Sequence, residues 1–142
     1  MLEVTFKEEV SILAKRYTSD DIDVFYDIKR CIHAAECIKN SPEVFDTTKR
    51  PWIDPTQSDA DSIANTIEKC PSGALTYERK DGKPNEKHDH TEITMGDDNN
   101  IYVRGEATIK WNDNTIFVNR AILKGGNNIN EYPFYTLEDK KQ

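Results

Sequence analysis

Apolar and polar residues alternate over Ile22-Asp23-Val24-Phe25-Tyr26-Asp27-Ile28, placing Ile22, Val24, Tyr26 and Ile28 on one face and Asp23 and Asp27 on the other. A period of two predicts a half-buried strand, and this one feeds directly into residue 31. Upstream the period is helical. Phe6, Val10, Leu13 and Tyr17 share a face behind Thr5-Phe6-Lys7-Glu8, a capping-box pattern, which predicts an amphipathic helix at the start of the chain. Downstream, Ala60, Ile63, Ala64 and Ile67 form a second helical stripe, with Ser58 as the expected N-cap and Asp59 and Asp61 in the first turn. Position 70 continues that stripe, and Pro71 and Gly73 stop the helix. Ala74–Glu78 then reads as a returning strand able to pair with 22–28.

Between these elements the pattern breaks. Glu43–Asp46 reads as a short extended piece, and Arg50-Pro51-Trp52-Ile53-Asp54-Pro55 cannot be regular helix because two prolines bracket it. Lys80 to Thr91 is turn-rich and apolar-free and reads as a linker or exposed loop. Beyond it, Ile93–Met95, Ile101–Val103, Ala107–Trp111 and Thr115–Val118 are short strand candidates separated by Asn-, Asp- and Gly-rich turns, the signature of a small antiparallel β unit. Lys124–Asn128 reads as a loop and Glu138–Gln142 as a frayed tail. The fold class expected is α+β.

Composition narrows the function classes. The 142 residues carry a formal net charge of −7. The acidic excess is spread along the chain, with eleven Lys/Arg against fifteen Asp/Glu in residues 1–80 and eight against eleven in 81–142. With no basic stripe, nucleic acid and anionic membrane are not expected partners. An acidic surface instead suits a redox partner protein with a basic docking patch. No apolar run approaches the ~20 residues of a membrane span, and the first residues lack a secretory pattern. Three cysteines, an odd number, fit a reducing cytoplasm better than a disulfide framework. Serine-elbow, phosphate-loop and metalloprotease-helix patterns are missing from the sequence, so no enzyme activity is expected, although an accessory role in an enzyme complex stays open.

The candidate chemistry lies in Cys31-Ile32-His33-Ala34-Ala35-Glu36-Cys37 and Cys70-Pro71. Three readings of these cysteines stand side by side. They could be unrelated small hydrophobes. They could bind zinc with His33, although five residues between Cys31 and Cys37 is a loose spacing for structural zinc. They could hold one iron–sulfur cluster. Overlaid on the ferredoxin pattern C-x₂-C-x₂-C with a remote Cys-Pro, Cys31 takes the first position, Ala34 the second, Cys37 the third and Cys70 the remote one. The second ligand position is therefore vacated at Ala34.

Tyr26 to Tyr77 resembles the divergent single-cluster ferredoxin domain of small bacterial proteins. The matching stretches are Cys31-x-His33-x₃-Cys37, Arg50-Pro51-Trp52-Ile53 and Cys70-Pro71-Ser72-Gly73-Ala74-Leu75-Thr76-Tyr77. The resemblance implies a small ferredoxin-type domain with one cluster on Cys31, Cys37 and Cys70, working in one-electron transfer or redox sensing. The family is described as [4Fe–4S]. With three thiolates [3Fe–4S] is the simpler expectation, and a fourth iron would need His33, a carboxylate such as Glu36, or water. Trp52, Ile53 and Val24 are candidates for the apolar shell. A non-redox interaction module with a structural cluster or zinc is the alternative. The second half resembles a CDGSH-type iron–sulfur module through Val103-Arg104-Gly105 and Pro133-Phe134. The positions matching its ligands, Lys124, Gly126, Tyr135 and Asp139, carry no cysteine or histidine, so that module would have lost its cluster. The expected layout is residues 1–80 as the ferredoxin-type domain with its N-terminal helix and residues 91–142 as the small β domain.

Overall fold

The computed structural model describes residues 14–126 and 132–141. Among the described residues, two three-stranded antiparallel sheets carry the fold, with three short helices, and the architecture is α+β as expected. In the first sheet β2 (Ile22–Tyr26) lies between β1 (Lys15–Thr18) and β3 (Leu75–Arg79). In the second, β5 (Ile101–Trp111) lies between β4 (Glu92–Met95) and β6 (Asn114–Leu123). The helices are α1 (Glu36–Asn40), α2 (Ala60–Ile67) and α3 (Leu137–Lys140).

The first core forms where the apolar stripe of α2 meets the inner face of β2 and β3. Ala60, Ile63, Ala64 and Ile67 pack with Ile22, Val24, Leu75, Val44, Phe45 and Ile53. The returning strand pairs with β2 as its pattern predicted, Tyr26 opposite Leu75 and Ile22 opposite Arg79. One further bond, from Asp27 N–H to the Ala74 carbonyl at 2.8 Å, ties the exit of β2 to the segment after Cys70.

Four expectations need correction here. Tyr17 lies in β1, opposite Val24, and not on a helix; the rest of the expected N-terminal helix, Phe6 to Leu13, lies outside the described residues. The N-cap of α2 is Asp59, whose side chain accepts from Ser62 N–H, and Ser58 stands one position outside. Ile28 leaves the apolar phase of β2, because a 3₁₀ turn at Ile28–Arg30 swings it out to 76% exposure. Asp23, expected on the face opposite the apolar one, is fully buried. It is covered by long side chains whose stems lie across the sheet: Arg16 and Lys80 pair with its carboxylate and Thr18 donates to it.

Burial alone would push the Asp23 carboxyl up, but the hydrogen bonds from Thr18, Arg16 and Lys80 more than offset this and hold it at about 2. A carboxyl depressed on folding adds stability above its unfolded pKa and loses it as pH falls through the folded one. Urea midpoints are therefore expected to drop as pH is lowered from the ordinary carboxylate range towards 2, with a shallower drop in Asp23→Asn. Equal slopes in the two proteins would refute this.

In the second sheet, the two strand candidates at 101–103 and 107–111 are one continuous strand. A register shift between Arg104 and Ala107 marks a bulge, and Gly105 sits there at φ +125°. A Cβ at that position would lie 2.6 Å from Thr91 Cα. Val103, Val118, Ala121 and Phe134 form the second core, flanked by a T-shaped cluster of Trp111, Tyr132 and Phe134. The tail is not frayed over 137–140. It forms α3 behind a Thr136–Asp139 capping box.

Candidate metal centre

Asp27 caps the 3₁₀ turn by accepting from Lys29 N–H at 3.0 Å, and Cys31 N–H closes it on the Ile28 carbonyl. The chain then enters a loop in which His33 and Ala35 take left-handed φ values of 56° and 65°. Such alternation aims successive N–H groups toward one side, as in an anion-binding nest. No backbone carbonyl among the described residues accepts from the N–H groups of residues 32–35. α1 follows at once and places Cys37 in its first turn.

Cys70 arrives from the other direction. α2 ends at Ile67, so Cys70 is not on the helix as its spacing suggested. Instead its N–H bonds back to the Ile67 carbonyl at 2.9 Å, and Pro71, with no N–H to give, turns the chain away. Gly73 then takes φ +74°, where a Cβ would sit 2.0 Å from the Arg120 carbonyl oxygen and 2.5 Å from Arg30 Nη2.

Cys31, Cys37 and Cys70 line one small cavity, with Tyr26, Trp52, Ala34 and Glu36 also on its wall. All three thiols are free and half-buried. Burial, a hydrogen bond to Cys31 and the charges of Cys31 and Cys37 hold the Tyr26 hydroxyl protonated far above its usual range. Burial together with the neighbouring Cys70 and Cys31 pushes the Cys37 thiol up to about 11, although the Ile38 N–H hydrogen bond opposes the rise. Three thiolates crowded this way repel one another, which a bound cationic centre would relieve. Trp52 packs edge-on to Tyr26 at 5.1 Å and lies on the cavity wall; Ile53 and Val24 belong to the core and not to the wall. Ala34 stands on the wall at the vacated second position. His33 is exposed and off the wall, whereas Glu36 is on it.

Arg120, Glu86 and Arg30, none of them among the candidate site residues, support the Cys70 segment. Arg120, 1% exposed, donates through Nη1 to the Cys70 carbonyl at 2.6 Å and through Nη2 to the Leu75 carbonyl at 2.7 Å. Its Nε and Nη2 also grip both carboxylate oxygens of Glu86 at 2.9 and 3.0 Å. Burial pushes the Glu86 carboxyl up, but Arg120 and His88 more than compensate and hold it below its ordinary value. Arg30 reaches the Ser72 and Arg120 carbonyls at 2.9 and 2.8 Å and lies 4.6 Å from the centre of the Phe134 ring. The linker over 80–91 is thus anchored at Glu86, and the second sheet is joined to the cysteine segment by buried polar contacts. A signal for Arg120 exists in the sequence: Ile116, Val118, Arg120 and Ile122 alternate, so the arginine occupies an inward phase. Nothing in the polar stretch around Glu86 marks it as its partner.

A family model described as divergent 4Fe-4S mono-cluster matches residues 17–80. Two curated relatives, each called Uncharacterized protein YjdI, from Escherichia coli strain K12 and Escherichia coli O157:H7, are 36% identical to this chain over 64 residues. The match covers 45% of this chain and 84% of each relative. No solved structure matches the chain. The family match ends at residue 80, and the resemblance of the second half to a CDGSH-type module finds no support.

Proposed function

The chain belongs to the divergent 4Fe-4S mono-cluster family, and from that premise we propose that it is a one-electron carrier or redox sensor holding a single iron–sulfur cluster on Cys31, Cys37 and Cys70. The observation that carries this reading is the convergence of the three cysteines on one cavity wall. Among the described residues, no group of three His, Cys, Asp or Glu is placed to hold a single metal ion.

When bound, the cluster supplies reversible one-electron chemistry. The chain's own residues do the rest. The 32–35 N–H groups are available to donate to cluster sulfurs, and the Tyr26 hydroxyl, on the wall beside Cys31, would stay protonated there; donors at this position stabilise negative charge and tune the potential. Trp52 adds an apolar ring to the wall of the site. The protein acts in this reading as a carrier or sensor and not as an enzyme in its own right.

Three thiolates satisfy [3Fe–4S], and [4Fe–4S] with a fourth iron that lacks a cysteine. Glu36 is better placed than His33 to reach that iron. Anaerobic reconstitution with iron and sulfide analysis, optical spectra and EPR before and after reduction tests the proposal. Zinc without iron would overturn it. Ala34→Cys should supply the missing thiolate and shift the cluster towards a more oxygen-tolerant [4Fe–4S] form, seen as an EPR signal that appears only on reduction. His33→Ala should leave the spectra unchanged.

A further inference from the structure

The turn after Cys70 brings a hydroxyl to the cavity. Ser72, 2% exposed, lines the same wall as the three cysteines. Its Oγ lies 3.6 Å from Cys70 Sγ and 3.2 Å from the Ala74 backbone nitrogen. The Ala74 N–H can only donate, so the hydroxyl oxygen is its acceptor and the hydroxyl proton is left for another group. Among the described residues, the other atom within hydrogen-bond distance of Ser72 Oγ is the Cys70 sulfur. Beside a neutral thiol either partner could donate. A thiolate carries no proton and can only accept, so deprotonation of Cys70 for ligation fixes the direction as Ser72 O–H to Cys70 Sγ.

The hydroxyl is held in place by its backbone. Arg30 Nη2 donates to the Ser72 carbonyl at 2.9 Å, and Arg120 Nη1 donates to the Cys70 carbonyl at 2.6 Å. Both arginines are buried. The two carbonyls that bracket the turn are therefore fixed from the far side, which leaves the Ser72 side chain facing the cavity in a set position.

We infer that Ser72 is the side-chain donor to the Cys70 ligand sulfur, and that it raises the reduction potential of the centre. The inference rests on the cluster reading above. Reduction adds negative charge to the centre and its ligand sulfurs. A donor aimed at one of those sulfurs is strengthened by that charge, so it stabilises the reduced form more than the oxidised one. In a buried site of low local dielectric the contact is stronger than it would be in water.

The test is a potentiometric titration of the reconstituted full chain, followed by EPR, with iron and sulfide measured per chain. Ser72→Ala should keep its iron and lower the midpoint, by about tenfold in the equilibrium with a one-electron dye, or about 59 mV. Ser72→Ala also removes the acceptor of the Ala74 N–H, so thermal melts accompany the titration. Ser72→Thr and Ser72→Val repeat the comparison at constant shape: the threonine variant keeps the hydroxyl and should titrate above the valine one. This pair decides the matter where the alanine variant fails to load iron. Equal midpoints with and without the hydroxyl, even alongside a change in melting temperature, would overturn the inference while leaving the cluster intact. A wild-type chain that takes up no iron would overturn the cluster reading and this inference together.

Discussion

Replacing Cys70 by serine is expected to remove essentially all iron and sulfide from the reconstituted protein. Cys31 and Cys37 belong to one seven-residue stretch, and Cys70 brings the only thiolate from elsewhere in the chain. Without it the remaining pair cannot bridge the 31–37 loop to the segment after α2. Folding and metal binding are coupled in small metal domains, so the variant should also melt like the iron-free wild type and show no gain in stability on reconstitution. Iron analysis beside thermal melts of both proteins, with and without iron and sulfide, reads both effects. A Cys70→Ser chain that retains a full cluster would sink the three-thiolate assignment.

Replacing Arg120 by leucine should have the largest effect of any change outside the cysteines. The substitution leaves Glu86, 3% exposed, as a buried carboxylate with His88 as its remaining ion-pair partner among the described residues. It also releases the Cys70 and Leu75 carbonyls that Arg120 holds. Removing one partner of a buried ion pair costs about 3–5 kcal/mol. In a chain of this size that is a fall in melting temperature of roughly 10 °C. Glu86→Gln should cost less, because the amide oxygen can still accept from the guanidinium. The Cys70 segment is the part loosened, so iron should be lost to a chelator several-fold faster in Arg120→Leu than in the wild type. The loss of a buried cation beside Cys70 should lower the reduction potential. A variant that is destabilised yet keeps its iron-release rate and potential would show that Arg120 supports only the fold.

What could be read in the sequence, and what could not, divides along the range of the interactions. The alternation at 22–26, the stripe of α2 and the return of β3 were legible because each is set by neighbours a few residues apart. That the three cysteines could belong together was legible because ligand chemistry favours residue type and spacing, and the structure sets them on one cavity wall. Asp23 was misplaced because its burial depends on Arg16 and Lys80 crossing the sheet face, which a period of two does not encode. The cap of α2 slipped by one residue because Ser58 and Asp59 are both good caps, and only the backbone path selects Asp59.

By itself the sequence determined an α+β chain with a cysteine set matched to a one-cluster pattern and one ligand position vacated at Ala34. Tertiary structure alone decided the rest. It put Ala34 and Glu36 on the cavity wall and His33 off it. It brought Arg120 against Cys70 from 50 residues away and Glu86 against Arg120 from 34. Local pattern fixes which face of an element is apolar, whereas a buried ion pair or a local charge depends on which distant segments fold against each other.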